Sequence, residues 1–156
     1  MSVPLNETVL RNARPDIAAW LSTFVKRQGG SVGSVHLAGL AGEGDIALVA
    51  AHNLPPAVQN GTSVIPLGKG MAGTAAQRQE AVAILDFQSD TTGVAVKAGR
   101  AAGSRGSLTL PVFAPDDATR VVAVVGLGFA VVREFTDEEI ETFNQDAATL
   151  LDIYRV

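Results

Sequence analysis

The sequence predicts an α+β domain: a central antiparallel sheet of about six strands covered by helices. Three observations carry this. Apolar residues recur at helical spacing near both ends of the chain, strand-like runs fill the middle, and clusters of turn residues separate those runs.

Near the start, Ile17, Trp20, Leu21, Phe24 and Val25 repeat with a helical period, and Gly29–Gly30 ends the pattern. Pro15 and Asp16 suit its first turn, and a shorter helical stretch precedes it from Asn6. Ser31–Leu40 and Asp45–His52 read as strands joined by the turn Ala41-Gly42-Glu43-Gly44. Asn53 to Gly61, with Pro55–Pro56 and Asn60–Gly61, reads as a connector, and Thr62–Leu67 as extended again. A glycine-punctuated turn leads into an Ala-rich helix around Gly70–Arg78. Ala81–Asp86, Ser107–Phe113 and Arg120–Val132 complete the sheet, with Ala114-Pro115-Asp116-Asp117 turning the last two into a hairpin. Gly126 and Gly128 inside the last run predict a bulge or a close approach by another backbone. Thr136 and Glu139 form a capping box, Phe135 and Ile140 a hydrophobic staple, and Ile140, Phe143, Ala147, Leu150 and Leu151 an apolar stripe.

Composition narrows the function classes. The chain has 156 residues, 47% of them hydrophobic and 18% charged, with a net charge of -4 and no cysteine. The length suits a single domain over 1–156. The mild acidic balance offers no basic stripe to nucleic acid or an anionic membrane. No apolar run reaches the roughly 20 residues of a membrane span, and the N-terminus lacks a signal-peptide core, so a cytoplasmic location is expected. Without cysteine there is no disulfide, thiolate nucleophile or Cys-ligated metal.

The richest stretch is Gly68-Lys69-Gly70-Met71-Ala72-Gly73-Thr74-Ala75-Ala76-Gln77-Arg78. The first-turn N–H groups of such a helix can receive an anion or a carbonyl oxygen. The same glycines also suit a tight strand-to-helix turn with close packing on the sheet, and the spacing is not that of a Walker A loop. The polar segment that follows Asp86, running to Ser107, lies where ligand chemistry commonly sits, although a solvated crossover reads the same way.

Ile65-Pro66-Leu67-Gly68-Lys69-Gly70-Met71-Ala72-Gly73, then Ala81–Asp86, Gly106-Ser107-Leu108-Thr109-Leu110-Pro111-Val112 and Phe135-Thr136-Asp137-Glu138-Glu139, resemble the ordered landmarks of a GAF domain. The resemblance spans nearly the whole chain from about Pro15. It implies terminal helices on one face of the sheet. On the other face it implies a small-molecule pocket between the sheet and the 68–107 segment, roofed by the middle helix and residues 87–106.

The resemblance also implies a role: a sensor module for signal transduction that binds a small molecule and relays its presence to a signalling partner. The sulfoxide-reductase branch of the family uses cysteine thiolates and bilin-binding relatives a tethering Cys, both missing here. The cyclic-nucleotide branch carries Asn-Lys where this chain has Phe129-Ala130-Val131-Val132. A haem sensor would draw its axial ligand from His36 or His52. A nitrate-like anion sensor is one alternative, with Lys69 or Lys97 supplying charge, and a ligand-free dimerisation or interaction module is another. The chain is therefore expected not to be an enzyme: Ser34 and His36 share a strand face without an orienting carboxylate, and Asp86 with Asp90 suits turn capping better than acid–base work.

The expected ligand-binding residues are the backbone of Gly70, Met71, Ala72 and Gly73, side-chain hydrogen bonds from Asp86 and Ser107, charge from Lys97 or Arg105, and His36 pointing from the sheet. No catalytic or metal-ligating set is assigned and no cofactor is named. A homodimer is expected through the terminal helices, using Trp20, Phe24, Phe143, Leu150 and an exposed stripe such as Leu21, Val25 and Leu151. The Ala-, Gly- and Val-rich composition points to a bacterial source.

Overall fold

The computed structural model describes residues 3–86, 88–89 and 103–155. The strands β1 (Val32–Ala38), β2 (Asp45–His52), β3 (Val64–Pro66), β4 (Val82–Ile84), β5 (Ser107–Ala114) and β6 (Asp117–Gly128) form one six-stranded sheet in the order β3-β2-β1-β6-β5-β4. Every neighbouring pair is antiparallel. The described helices are α1 (Glu7–Asn12), α2 (Pro15–Arg27), α3 (Pro56–Gly61), α4 (Gly70–Arg78) and α5 (Asp137–Ala147), and a 3-10 turn over Ala148–Asp152 continues α5.

Local chemistry explains the element ends. The Asn6 side chain accepts from the Val9 N–H at 2.8 Å and caps α1, and Pro15 opens α2 where a missing N–H costs nothing. The Thr136 hydroxyl accepts from the Glu139 N–H while the Glu139 carboxylate accepts from the Thr136 N–H, so both halves of the expected capping box form at α5. β5 and β6 meet at a two-residue turn, with Ala114 paired to Asp117.

The helices divide between the two sheet faces. Ile17, Leu21 and Val25 of α2 are fully buried with Val35, Leu110 and Val125 of the sheet and Phe143, Ala147 and Leu150 from the C-terminal end. Burying each such aliphatic side chain is worth about 2 kcal/mol against leaving it in water. On the opposite face Ala75 and Ala76 of α4 pack on Ile46, Val82 and Val124. The expected arrangement, terminal helices on one face and the middle helix on the other, is the one found.

Several expectations are corrected. The stretch from Asn53 to Gly61 is not a plain connector, because Pro56 starts the short helix α3. The last strand runs Asp117–Gly128 rather than Arg120–Val132. Beyond Gly128 the chain bonds to an irregular strap, with the Phe129 N–H donating to Gly106 and the Gly106 N–H to Val131. What approaches Gly126 and Gly128 is side chains, not another backbone. The stripe expected to remain free for a second copy is core: Leu21 and Val25 are fully buried and Leu151 is half-buried. Trp20 stacks on Phe24 with ring centroids 4.9 Å apart and donates its indole N–H to Thr149. Among the described residues no helix is long and apolar enough to cross a membrane.

Candidate functional site

The register of the sheet builds a polar floor on the face that carries α4. Thr109 pairs with Gly126 and Gly126 with Ser34, while Ser107 pairs with Gly128 and Gly128 with Val32. Alternation along each strand puts all of these on one face. A Cβ on Gly126 would lie 2.7 Å from the Ser34 Oγ, and one on Gly128 would collide with the Ser104 Oγ. The two glycines of β6 thus make room for serine hydroxyls laid against the strand. The hydroxyls of Ser34, Ser104, Ser107 and Thr109 line a cavity of about 160 Å³, a size comparable to engineered cavities of about 150 Å³ that hold benzene.

The walls come from β3, α3 and the start of α4, with Val58, Ile65 and Met71 among the apolar contributors. Gly68 and Gly70 take positive φ values of 88° and 65°, which lets the chain turn sharply from β3 into α4. Lys69 is the N-cap of α4 and makes no side-chain capping bond. The first helical bond of this turn is from the Gly73 N–H to the Lys69 carbonyl, so the preceding N–H groups of Gly70, Met71 and Ala72 have no partner within the helix. All three residues line the cavity.

His36 completes the site. It stands on the same face of β1 as Ser34, is only 2% exposed and lines the cavity. Its Nε2 lies 2.8 Å from the Thr62 carbonyl oxygen. A carbonyl only accepts, so Nε2 carries the hydrogen and Nδ1 of the neutral ring is an acceptor. Nδ1 is buried without a hydrogen-bond partner. Burial pushes the imidazole pKa down to about 4, against a smaller raising effect of the Thr62 bond.

Of the residues singled out in the sequence, Gly70, Met71, Ala72, Ser107 and His36 come together around this cavity. Gly73 sits behind it: its α-carbon packs on β3 so closely that a Cβ would lie 2.5 Å from the Pro66 carbonyl oxygen. Asp86 and Arg105 are not among the lining residues; they hold each other through bonds of 2.8 and 2.7 Å. Those bonds, with the Ser89 hydroxyl, hold the Asp86 carboxyl below the usual carboxylate range. Lys97 and Asp90 lie outside the described residues. Among the described residues no group of three or more His, Cys, Asp or Glu side chains is placed to hold a metal.

Sequence reasoning missed Ser104, Thr109 and Thr62 as parts of the site, and weighed Ser34 only as a nucleophile. A signal was present. Small polar residues at alternate positions, Ser107 with Thr109 and Ser34 with His36, interrupt apolar strands on a face that a helix covers.

The GAF domain family model matches residues 13–151. This chain belongs to the GAF domain family. Solved structures agree on the fold. The GAF domain of an Acinetobacter phosphoenolpyruvate-protein phosphotransferase is 18% identical with a TM-score of 0.63, covering 85% of this chain and 76% of that one. A protein from Burkholderia vietnamiensis assigned as a GAF sensor is 20% identical with a TM-score of 0.61, covering 92% and 84%. A type II free methionine-R-sulfoxide reductase from Thermoplasma acidophilum is 14% identical with a TM-score of 0.65, covering 94% and 96%. A sequence comparison with curated proteins gives no match.

GAF domains usually serve as sensor or regulatory domains. The expectation that the chain is not an enzyme is nevertheless corrected. Free methionine-R-sulfoxide reductases share its fold at 14–18% identity, so the fold admits catalysis as well as sensing. The lack of cysteine removes a thiolate mechanism for this chain and nothing broader.

Proposed function

We propose that this GAF domain is a regulatory module that binds one small polar molecule between the sheet and α4. The observation that carries the reading is the chemistry of the cavity. Three of its hydroxyls, on Ser34, Ser104 and Thr109, have no side-chain hydrogen bond among the described residues, and Ser107 reaches only the Arg105 carbonyl at 3.5 Å. These hydroxyls are accessible from the cavity rather than sealed away from solvent. Such a cluster in an otherwise apolar pocket favours a guest that pairs with it. The size favours a molecule about as large as a single ring. A ligand-free interaction module would fill this space with its own apolar side chains.

The relay would run through the strap. Ser104 lines the cavity, the next residue, Arg105, donates its N–H to the Phe129 carbonyl at 2.8 Å, and Phe129 packs on Phe143 of α5. A guest that binds one strap position better than another biases α5 by that difference in affinity.

Native mass spectrometry of the purified protein, followed by denaturing release, tests the reading. A stoichiometric small molecule lost on denaturation is the expected result. A clean apo mass, with no thermal shift across small carboxylates, amides, nitrate and nucleotides, would overturn it.

A further inference from the structure

Asn60 and Gly61 form an Asn-Gly pair at the C-terminal end of α3, and the Asn60 side chain clasps the N-terminal segment. Its oxygen accepts from the Asn6 N–H at 2.8 Å, and its nitrogen donates to the Pro4 carbonyl at 2.9 Å. One partner donates and the other accepts, so the pair is matched by an amide and not by a carboxylate. Asn6 in turn caps α1 through its own side chain. The clasp therefore ties α1 and the residues before it to α3.

The same amide can react with its own backbone. Gly61 is exposed and has no Cβ to crowd its nitrogen. That nitrogen gives up its proton to a solvent base and attacks the Asn60 Cγ. The Cγ–Nδ2 bond breaks, and ammonia leaves with a proton returned by the conjugate acid. Water then opens the succinimide to aspartate or isoaspartate. Ring closure needs the Asn60 Cβ and the Gly61 nitrogen eclipsed about the Cα–C bond, and the helical ψ of α3 keeps them apart. Yet α3 has only six residues, too few to persist alone. Its helical state depends on the burial of Val58, on the His36 bond to the Thr62 carbonyl and on the clasp.

We propose that Asn60-Gly61 is a spontaneous deamidation site, protected while the N-terminal segment is docked, and that conversion undocks the segment for good. A carboxylate at position 60 still accepts from Asn6 but has no hydrogen for Pro4, and its charge falls at the negative end of the α3 dipole. Isoaspartate also lengthens the α3 backbone by a methylene. Val58, Gly61 and Thr62 line the cavity, so the same event loosens one of its walls.

The full chain is incubated in mildly alkaline buffer, and peptide mapping by mass spectrometry follows deamidation at position 60. The chain in guanidinium chloride gives the unprotected rate. The folded wild type should deamidate at least about tenfold more slowly than the unfolded chain. Val9→Asp places a charge at the buried residue of α1 and should remove most of that protection. Asn6→Ala removes only the α1 cap, so it carries the test if Val9→Asp unfolds the domain; it should speed deamidation about threefold. In Asn60→Asp, hydrogen exchange at the Val9 and Leu10 amides should rise about fivefold while the β1 and β6 amides stay protected. Equal rates in the folded and unfolded wild type would overturn the protection. Unchanged rates in both α1 variants would overturn control by the N-terminal segment, and wild-type exchange at Val9 and Leu10 in Asn60→Asp would overturn the undocking.

Discussion

Buried and neutral, His36 ties the stability of the domain to pH. The ring is 2% exposed, held by one 2.8 Å bond to Thr62, and its pKa is pushed down to about 4 from 6.5. Between those values the unfolded chain binds a proton at this residue and the folded chain does not. Stability is therefore full above pH 6.5 and falls as pH drops towards 4, by about 1.4 kcal/mol per unit. The loss amounts to about 2 kcal/mol at pH 5 and about 3 kcal/mol by pH 4. The carboxylates of Asp16, Asp86, Asp117 and Glu139 are held below their ordinary range by hydrogen bonds, the first two chiefly by Arg14 and Arg105. Their contributions are lost at lower pH, as each carboxylate takes up its proton. The window between pH 6.5 and 5 thus belongs to the imidazole. Urea unfolding of the wild type and His36→Gln at pH 7.5, 6 and 5 measures it. Glutamine keeps an N–H to offer Thr62 but has no proton to gain. The wild type should lose about 2 kcal/mol more than the variant across this range. Parallel pH profiles for the two proteins would refute the claim that the folded state keeps His36 neutral.

Three further substitutions probe how the cavity and its supports are built. Thr136→Ala removes half of the α5 capping box and should cost about 1 kcal/mol in urea unfolding. Arg133 lies 4.5 Å from the Phe129 ring and 4.9 Å from Phe135, and it pairs with Glu139 at 3.0 Å. Arg133→Met keeps most of the packing but loses the cation, and should cost about 1 kcal/mol by the same measurement. Gly73→Ala forces a Cβ against the Pro66 carbonyl and should lower stability by about 2 kcal/mol, read as a fall in thermal midpoint. A neutral Gly73→Ala would mean that α4 and β3 are not held so closely.

Much of the fold was legible because its signals are local. The capping box at Thr136–Glu139, the proline at the head of α2 and the Pro115-Asp116 turn each act within a few residues, and each formed as read. The α3 helix was not legible: the same Pro55-Pro56 pair that marks a turn also opens a helix at Pro56, and the window is too short for apolar periodicity to decide. The site was legible where it depends on one segment, the glycine turn from Gly68 to Gly73. It was obscure where it depends on register. Nothing near Ser34 in the sequence says that Gly126 stands beside it or that Thr109 lies one strand further on, since pairing across the sheet decides both. The partner of Asp86 was likewise hidden, because Arg105 returns to it only after the chain has passed through the intervening segment.

The expected role of Asp86 and Arg105 as ligand contacts can be reconsidered through their geometry. Two parallel bonds use one edge of the Arg105 guanidinium and both oxygens of the carboxylate, leaving Asp86 little capacity after it also accepts from Ser89 and the Gln88 N–H. That pairing ties the end of the β4 segment to the residue beside Ser104, whose hydroxyl lines the cavity. From the other side the Arg105 N–H is bonded to Phe129, and the Gly106 N–H to Val131. The strap over the serine floor is thus anchored at both edges, by an ion pair on one and by backbone bonds on the other. Anchoring of this kind places Ser104 accurately against Gly128 without drawing on its hydroxyl, which stays available to a guest. On the proposed reading the acid and the base position the floor of the cavity, while its lining offers hydroxyls, the residues of the first α4 turn and Lys69. On that reading a small polar guest would meet hydroxyls, the α4 N-terminus and Lys69 rather than a buried ion pair, which would cost desolvation on both partners.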